Sequence, residues 1–187
     1  MSLGDNSMNG LKLHVSDYFL TDKNAVTVAD RRPQPAFPHH CHEFDKIVFV
    51  WRGNGLHTLN DVPYLITCGD VFYINARDRH GYESVNDLAL DNVLYRRDLL
   101  TLNVNWQTLL PGRGTGPDER QDWCLSTPGM AILRQSVDAL SKECMKSDAL
   151  SLLLSETLFY FSVVFNQAYG LSPRQYRQRF QKVLSLG

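Results

Sequence analysis

Three of the six histidines fall within four positions, in the run Phe37–Phe44 (FPHHCHEF). On a β-strand, side chains two apart face the same side. His40 and His42 therefore project together, and His39 and Cys41 face the other way. His80 closes the segment Arg77–His80, just after a predicted strand. Two imidazoles from one strand and a third from a partner strand can offer three nitrogens to a divalent metal. The same three can instead line the mouth of a barrel, hydrogen-bonded and free of metal. The first option describes a metal-dependent enzyme, with His40, His42 and His80 holding the ion and one position open to substrate. The second suits a pocket for a small ligand, which needs an apolar or aromatic face and several polar groups to fix the ligand's orientation. His40, His42, Lys46, Trp51, Tyr73 and His80 are the candidates to line it. Trp51 and Tyr73 lie in apolar runs and also fit core positions. His57 is expected at the surface.

The elements that must position these residues change character near residue 111. Before it, apolar residues come in short runs divided by turn residues. Lys46–Arg52 reads as a strand, Gly53-Asn54-Gly55 as a hairpin turn, and Leu56–Leu59 as the returning strand. Asn60-Asp61 and Cys68-Gly69-Asp70 read as turns, and Tyr64–Thr67, Val71–Asn75 and Leu90–Arg96 as further strands. Short strands at this spacing predict a β-sandwich or barrel. Pro111–Pro117 (PGRGTGP) reads as a linker. Beyond it, Leu133, Val137, Leu140 and Cys144 recur at helical spacing within Met130–Lys146. Asp148 is placed to cap a following Leu-rich helix. Gly170, Ser172 and Pro173 stop that helix and start a last one, made basic by Arg174, Arg177, Arg179 and Lys182.

Composition bounds the function. The chain has 187 residues, 43% hydrophobic and 21% charged, enough for one packed domain with a short appendage. A net charge of −1 excludes a basic nucleic-acid surface spread over the whole chain. No uninterrupted apolar run of membrane-spanning length and no basic-plus-apolar leader is present, so a cytoplasmic chain without membrane attachment is expected. Met1–Ser7 reads as an added leader, with Met8 a candidate natural start. Cys41, Cys68, Cys124 and Cys144 form no CxxC pair, so free thiols in a reducing compartment are expected.

Phe37–His80 resembles the two motifs of the cupin barrel. His40 and His42 match the H-x-H pair, Gly53 the later glycine, and Gly69 and His80 the second motif. Lys46 stands where the motif has a ligand Glu, Asn75 replaces a Pro and Arg77 a Gly. An ammonium on the face of two metal ligands repels a divalent cation, so Lys46 counts against a catalytic metal. No cofactor is required on this reading, and a divalent metal in the barrel stays as the alternative.

A longer resemblance runs over roughly residues 11–125. Ala29-Asp30-Arg31, Pro33-Gln34, the histidine run, Ile47–His57 (IVFVWRGNGLH), Leu59-Asn60-Asp61 and Gly69–Ile74 are similar to the sugar-sensing domain of the L-rhamnose operon regulators, members of the AraC family of transcription activators. VWRGNGLH and Leu59-Asn60-Asp61 favour one of the two rhamnose-regulator types. The resemblance implies a non-enzymatic sensor that binds L-rhamnose in a cupin-like barrel over 11–110, a linker over 111–128 and a helical dimerisation segment over 129–159. Leu133, Val137, Leu140, Leu152 and Leu153 are the expected homodimer contacts, although this stripe can also pack on the chain's own barrel. Tyr160–Phe180 resembles the end of the AraC-type DNA-binding domain, so 160–187 reads as its remnant. The first helix-turn-helix unit and the base-reading start of the second are missing before it. Either the chain is interrupted near Phe159–Tyr160, or an internal deletion has fused the tail. Promoter DNA is a partner expected of the intact protein only.

Overall fold

The structure, a computed structural model, describes residues 10–100 and 123–144. Eight strands form one sheet: β1 Leu11–Leu13, β2 Val26–Arg31, β3 Phe37–His42, β4 Asp45–Leu59, β5 Val62–Thr67, β6 Asp70–Ile74, β7 His80–Tyr95 and β8 Trp123–Cys124. Helix α1, Thr127–Glu143, follows. This is the expected mostly-β architecture with a helix after it.

The spine is the antiparallel pair of β4 and β7, both about three times the usual strand length. Each changes partner along its course. The first half of β4 pairs with β6 and the second with β5. The start of β7 pairs with β3 and its end with β2. Two long strands that change neighbours in this way must bend, and the bend wraps the sheet around an interior.

The bend lies where the sequence suggested a hairpin. Gly53-Asn54-Gly55 is not a turn; β4 runs straight through it to Leu59. Instead, the β4–β7 ladder slips between Val50 and Leu56. Gly53 sits at φ +77, and a Cβ there would lie 2.2 Å from the Asp87 carbonyl oxygen, so only glycine fits the close crossing. Opposite, Ser84 and Asp87 also take left-handed φ values, and Arg52 Nε is 2.7 Å from Asp87 Oδ2 across the slip. The hairpin closes later, at Asn60-Asp61, with both residues left-handed and Leu59 paired to Val62. That is the two-residue turn expected there.

The slip has a side-chain consequence. Before it, Lys46, Val48 and Val50 point inward; after it, His57 and Leu59 do. A strand read with one unbroken period of two puts His57 on the wrong face. His57 is fully buried rather than exposed, as the surface expectation had it.

Two apolar layers result. The inner one joins Val48, Val50, Ile66, Phe72, Ile74, Tyr82, Leu88 and Leu90. The outer one joins Ile47, Phe49, Trp51, Val71, Tyr73, Val93 and Tyr95 to Leu133, Val137 and Leu140 of α1. Ser126 caps α1 by accepting the Gly129 amide, and Pro128 occupies its first turn. β8 pairs with β6, and Leu125 N donates to Gly69 O at 2.8 Å, which fixes where the helix starts. The segment expected as linker therefore contains β8 and the first residues of α1. Burying Leu133, Val137 and Leu140 contributes about 5 to 9 kcal/mol at most. These three were candidate dimer contacts; the structure buries them on the chain's own sheet, so that face of α1 is taken. Leu152, Leu153, the Phe159–Tyr160 junction and the 160–187 tail lie outside the described residues. Among the described residues no helix is long and apolar enough to cross a membrane.

Candidate ligand pocket

A cavity of about 490 Å³ opens between β2, β3, β4 and β7. Tyr18, Phe37 and Tyr82 supply aromatic surface, and Leu13, Phe44 and Leu94 aliphatic and ring surface. Arg31, Gln34, His40, Lys46 and Asn92 supply polar groups. The volume and the mixture suit a small ligand held by a few oriented polar contacts. The wall at Leu13 and Tyr18 belongs to the end of β1 and the segment after it, which Glu43 clasps. Its carboxylate meets Lys12 Nζ at 2.9 Å, His14 Nδ1 at 3.1 Å and the Val15 amide at 3.1 Å.

Of the six candidate pocket residues, His40 and Lys46 line this cavity. His42 and His80 are buried beside it, with ring centroids 6.3 and 4.1 Å from that of His40. Trp51 and Tyr73 do not reach it. Their parity on β4 and β6 places them in the outer layer under α1. Trp51 Nε1 donates to Asp91 Oδ2 at 2.8 Å, and the Arg134 guanidinium lies 4.8 Å above its ring. The Tyr73 hydroxyl accepts from Arg97 at 2.6 Å. Asp91, although carried by β7, faces the same outer layer. Its carboxyl is pushed up by burial, against the pull of the Trp51 hydrogen bond and of Arg32.

The sequence argument missed Tyr18, Arg31, Gln34, Phe37, Tyr82 and Asn92. A signal existed for Asn92: it is an uncharged polar residue inside the apolar run Leu88–Tyr95, two before Leu94 and two after Leu90, both inward. Arg31 and Gln34 lie in the Ala29–Gln34 run that carries the family resemblance. Tyr18 carried no signal, because its position depends on how the N-terminal segment folds back.

Four histidines meet behind the cavity. His57 Nε2 lies 3.3 Å from His80 Nδ1, and the His42 and His80 ring centroids are 5.4 Å apart. His40 Nδ1 donates to Pro38 O at 2.9 Å, and His42 Nδ1 donates to Phe44 O. Those bonds select the neutral tautomer with hydrogen on Nδ1. Burial, then the charge of Lys46, pushes His40 down to about 4 and His42 down to about 2. His80 is lowered well below its ordinary value for the same reasons. All three are uncharged at neutral pH. Lys46 is itself pushed down to about 7, by burial and then by Arg31.

This donor set does not suit a resident metal. Of the buried imidazole nitrogens, His42 Nε2 and His80 Nε2 stay without a hydrogen-bond partner among the described residues, and a stable site needs more than two donors. No carboxylate joins them, and the Lys46 ammonium shares the interior. Among the described residues no group of three or more His, Cys, Asp or Glu is arranged to hold a metal ion. The metal-enzyme alternative is therefore not favoured. All four cysteines are free thiols.

A sheet wrapped around a polar-lined cavity, with a helix packed outside, defines a cupin-like small-molecule-binding fold. The chain belongs to the AraC-like ligand binding domain family, whose model matches residues 24–161. It is 59% identical over 167 residues to the HTH-type transcriptional activator RhaR of Pectobacterium atrosepticum, covering 89% of this chain and 58% of that protein. It is 51% identical over 178 residues to the RhaR of Yersinia pseudotuberculosis serotype O:1b, covering 95% and 59%. The chain thus spans less than two thirds of the length of the curated relatives it matches. Those relatives are named as transcriptional activators and not as enzymes. Among solved structures, apo ToxT of Vibrio cholerae matches with a TM-score of 0.46 at 14% identity, over 78% of this chain and 56% of that one.

Proposed function

We propose that this chain is the ligand-sensing and dimerising part of a cytoplasmic transcription activator that responds to L-rhamnose. The observation that carries the reading is the cavity itself: aromatic walls from Tyr18, Phe37 and Tyr82 facing the polar groups of Arg31, Gln34, His40, Lys46 and Asn92. A pyranose presents both a C–H face and a ring of hydroxyls, and this lining answers both. Asn92 Oδ1 has no hydrogen-bond partner among the described residues, which leaves it to accept from a sugar hydroxyl. Sugar binding then favours one of two arrangements of the sensor and changes how DNA-binding units are presented in the whole protein. Two copies pair through the helical region, using surface other than the stripe already buried on the sheet. No catalysis is assigned.

Calorimetric titration with L-rhamnose and with L-arabinose tests the sugar. L-rhamnose is expected to bind more tightly and to raise the melting temperature; binding of neither at millimolar concentration overturns the reading. Sedimentation equilibrium tests the pairing, with a dimer expected and a monomer at all concentrations refuting it.

A further inference from the structure

Lys46 is nine-tenths buried and lines the cavity, yet its ammonium makes no hydrogen bond or ion pair among the described residues. Arg31, on the facing wall, bonds only the Asp30 carbonyl and the Tyr18 hydroxyl, both neutral groups, at 3.3 Å each. The cavity's lining holds one carboxylate, Asp30, and it is taken by Arg32 Nε at 2.8 Å. Lys46 is thus buried on one wall and the partly exposed Arg31 stands on the facing one, with no free carboxylate in the lining between them. Buried cations are as a rule paired, because desolvation without a partner costs several kcal/mol. The depression of Lys46 to about 7 expresses that missing partner. A neutral sugar alone satisfies hydrogen bonds but leaves both charges uncompensated.

We infer that the Lys46–Arg31 corner of the cavity is an anion subsite, which seats a carboxylate or phosphate group next to the sugar position. The inference rests on the reading of this cavity as the ligand site. The anionic group has two possible sources. It can be part of the ligand, as in an acidic or phosphorylated sugar, or it can be a free anion bound together with a neutral sugar. The cavity is larger than one hexopyranose, so either arrangement fits.

Calorimetry on the full chain separates them. The probes are L-rhamnose, the hexuronate that carries a carboxylate in place of its C5 methyl and keeps the pyranose ring, and inorganic phosphate, in buffer without other polyvalent anions. If the anion belongs to the ligand, this acid binds about tenfold more tightly than L-rhamnose. If it is a free anion, millimolar phosphate tightens L-rhamnose binding by about threefold or more. In either case the gain disappears in Lys46→Met and shrinks in Arg31→Gln, a partly exposed wall position whose change leaves the core intact. L-rhamnose binding that is unaffected by phosphate, with no advantage for the acid, overturns the subsite and leaves the sugar reading standing. Binding of the acid without binding of L-rhamnose supports the subsite and overturns the neutral sugar. No binding by any probe overturns both.

Discussion

Replacing Lys46 by Met should make the ligand-free protein more stable. Lys46 sits among His40, His42 and His80 with no carboxylate beside it, and burial is the main cause of its depressed pKa. Moving an ammonium from 10.5 down to about 7, at about 1.4 kcal/mol for each tenfold in proton affinity, corresponds to about 5 kcal/mol of burial cost. Met keeps the length and apolar stem and removes the charge. Some of the 5 kcal/mol is lost to imperfect packing and to water in the cavity, so a gain of about 3 to 5 kcal/mol is expected at pH 6. For a chain of this size each kcal/mol moves Tm by about 2 to 4 °C. The pH dependence has a definite sign. Between about 7 and 10.5 the unfolded chain holds a proton on Lys46 that the native protein does not, so wild-type stability rises with pH across that window. At pH 9 the residual cost in the wild type is about 2 kcal/mol, and the advantage of Lys46→Met should fall to about 1 to 2 kcal/mol. Urea denaturation followed by far-UV circular dichroism at pH 6 and pH 9 measures both gaps. A variant less stable than wild type at pH 6, or an equal gap at the two pH values, would refute the picture of an uncompensated buried ammonium.

Three other outcomes follow from the geometry. Trp51→Phe removes the hydrogen bond to Asp91 and the face that Arg134 covers, so it should cost about 1 to 3 kcal/mol in urea denaturation. Its sugar affinity should stay within about twofold of wild type in calorimetry, since Trp51 faces the helix; a large loss would move it into the site. Gly53→Ala forces a Cβ against the Asp87 carbonyl at a left-handed φ, and should lower stability by about 2 to 4 kcal/mol. A melting temperature unchanged by that substitution would show that the β4–β7 crossing is looser than described. Acidification should destabilise the protein through His40 and His42. Below about 6.5 the unfolded chain binds protons on both, while the native protein resists until about 4 and about 2 respectively, so stability falls with pH. The expected loss between pH 7 and pH 5 is about 2 to 4 kcal/mol, and denaturation midpoints that do not decline over that range would contradict their buried, neutral state.

Much of the site was legible from residue types. A His-x-His pair on a strand puts both rings on one face whatever the surroundings, and His40 and His42 do share the interior with His80. Lys46 as the residue that disfavours a metal needed only charge. The Asn60-Asp61 turn followed from local backbone preference, and the α1 stripe from a helical repeat that any packing partner would use. These are properties of a few neighbouring residues, and neighbours in sequence carry them.

What only the tertiary structure decided concerns faces and partners. A period of two says that Trp51 and Tyr73 share a side with Ile47 and Phe49, but not whether that side meets a ligand or a helix. The packing of Leu133, Val137 and Leu140 settled it in favour of the helix. The same packing removed those residues from the surface. His57 turned inward because the ladder slips at Gly53, and the need for that slip arises from Asp87 on a strand more than thirty residues away. The bare charge on Lys46 is of the same kind. A lysine in a sequence carries no mark of whether a carboxylate will face it; only the pairing of β7 with both β2 and β4 brings Arg31, and no unpaired acid, to the same cavity.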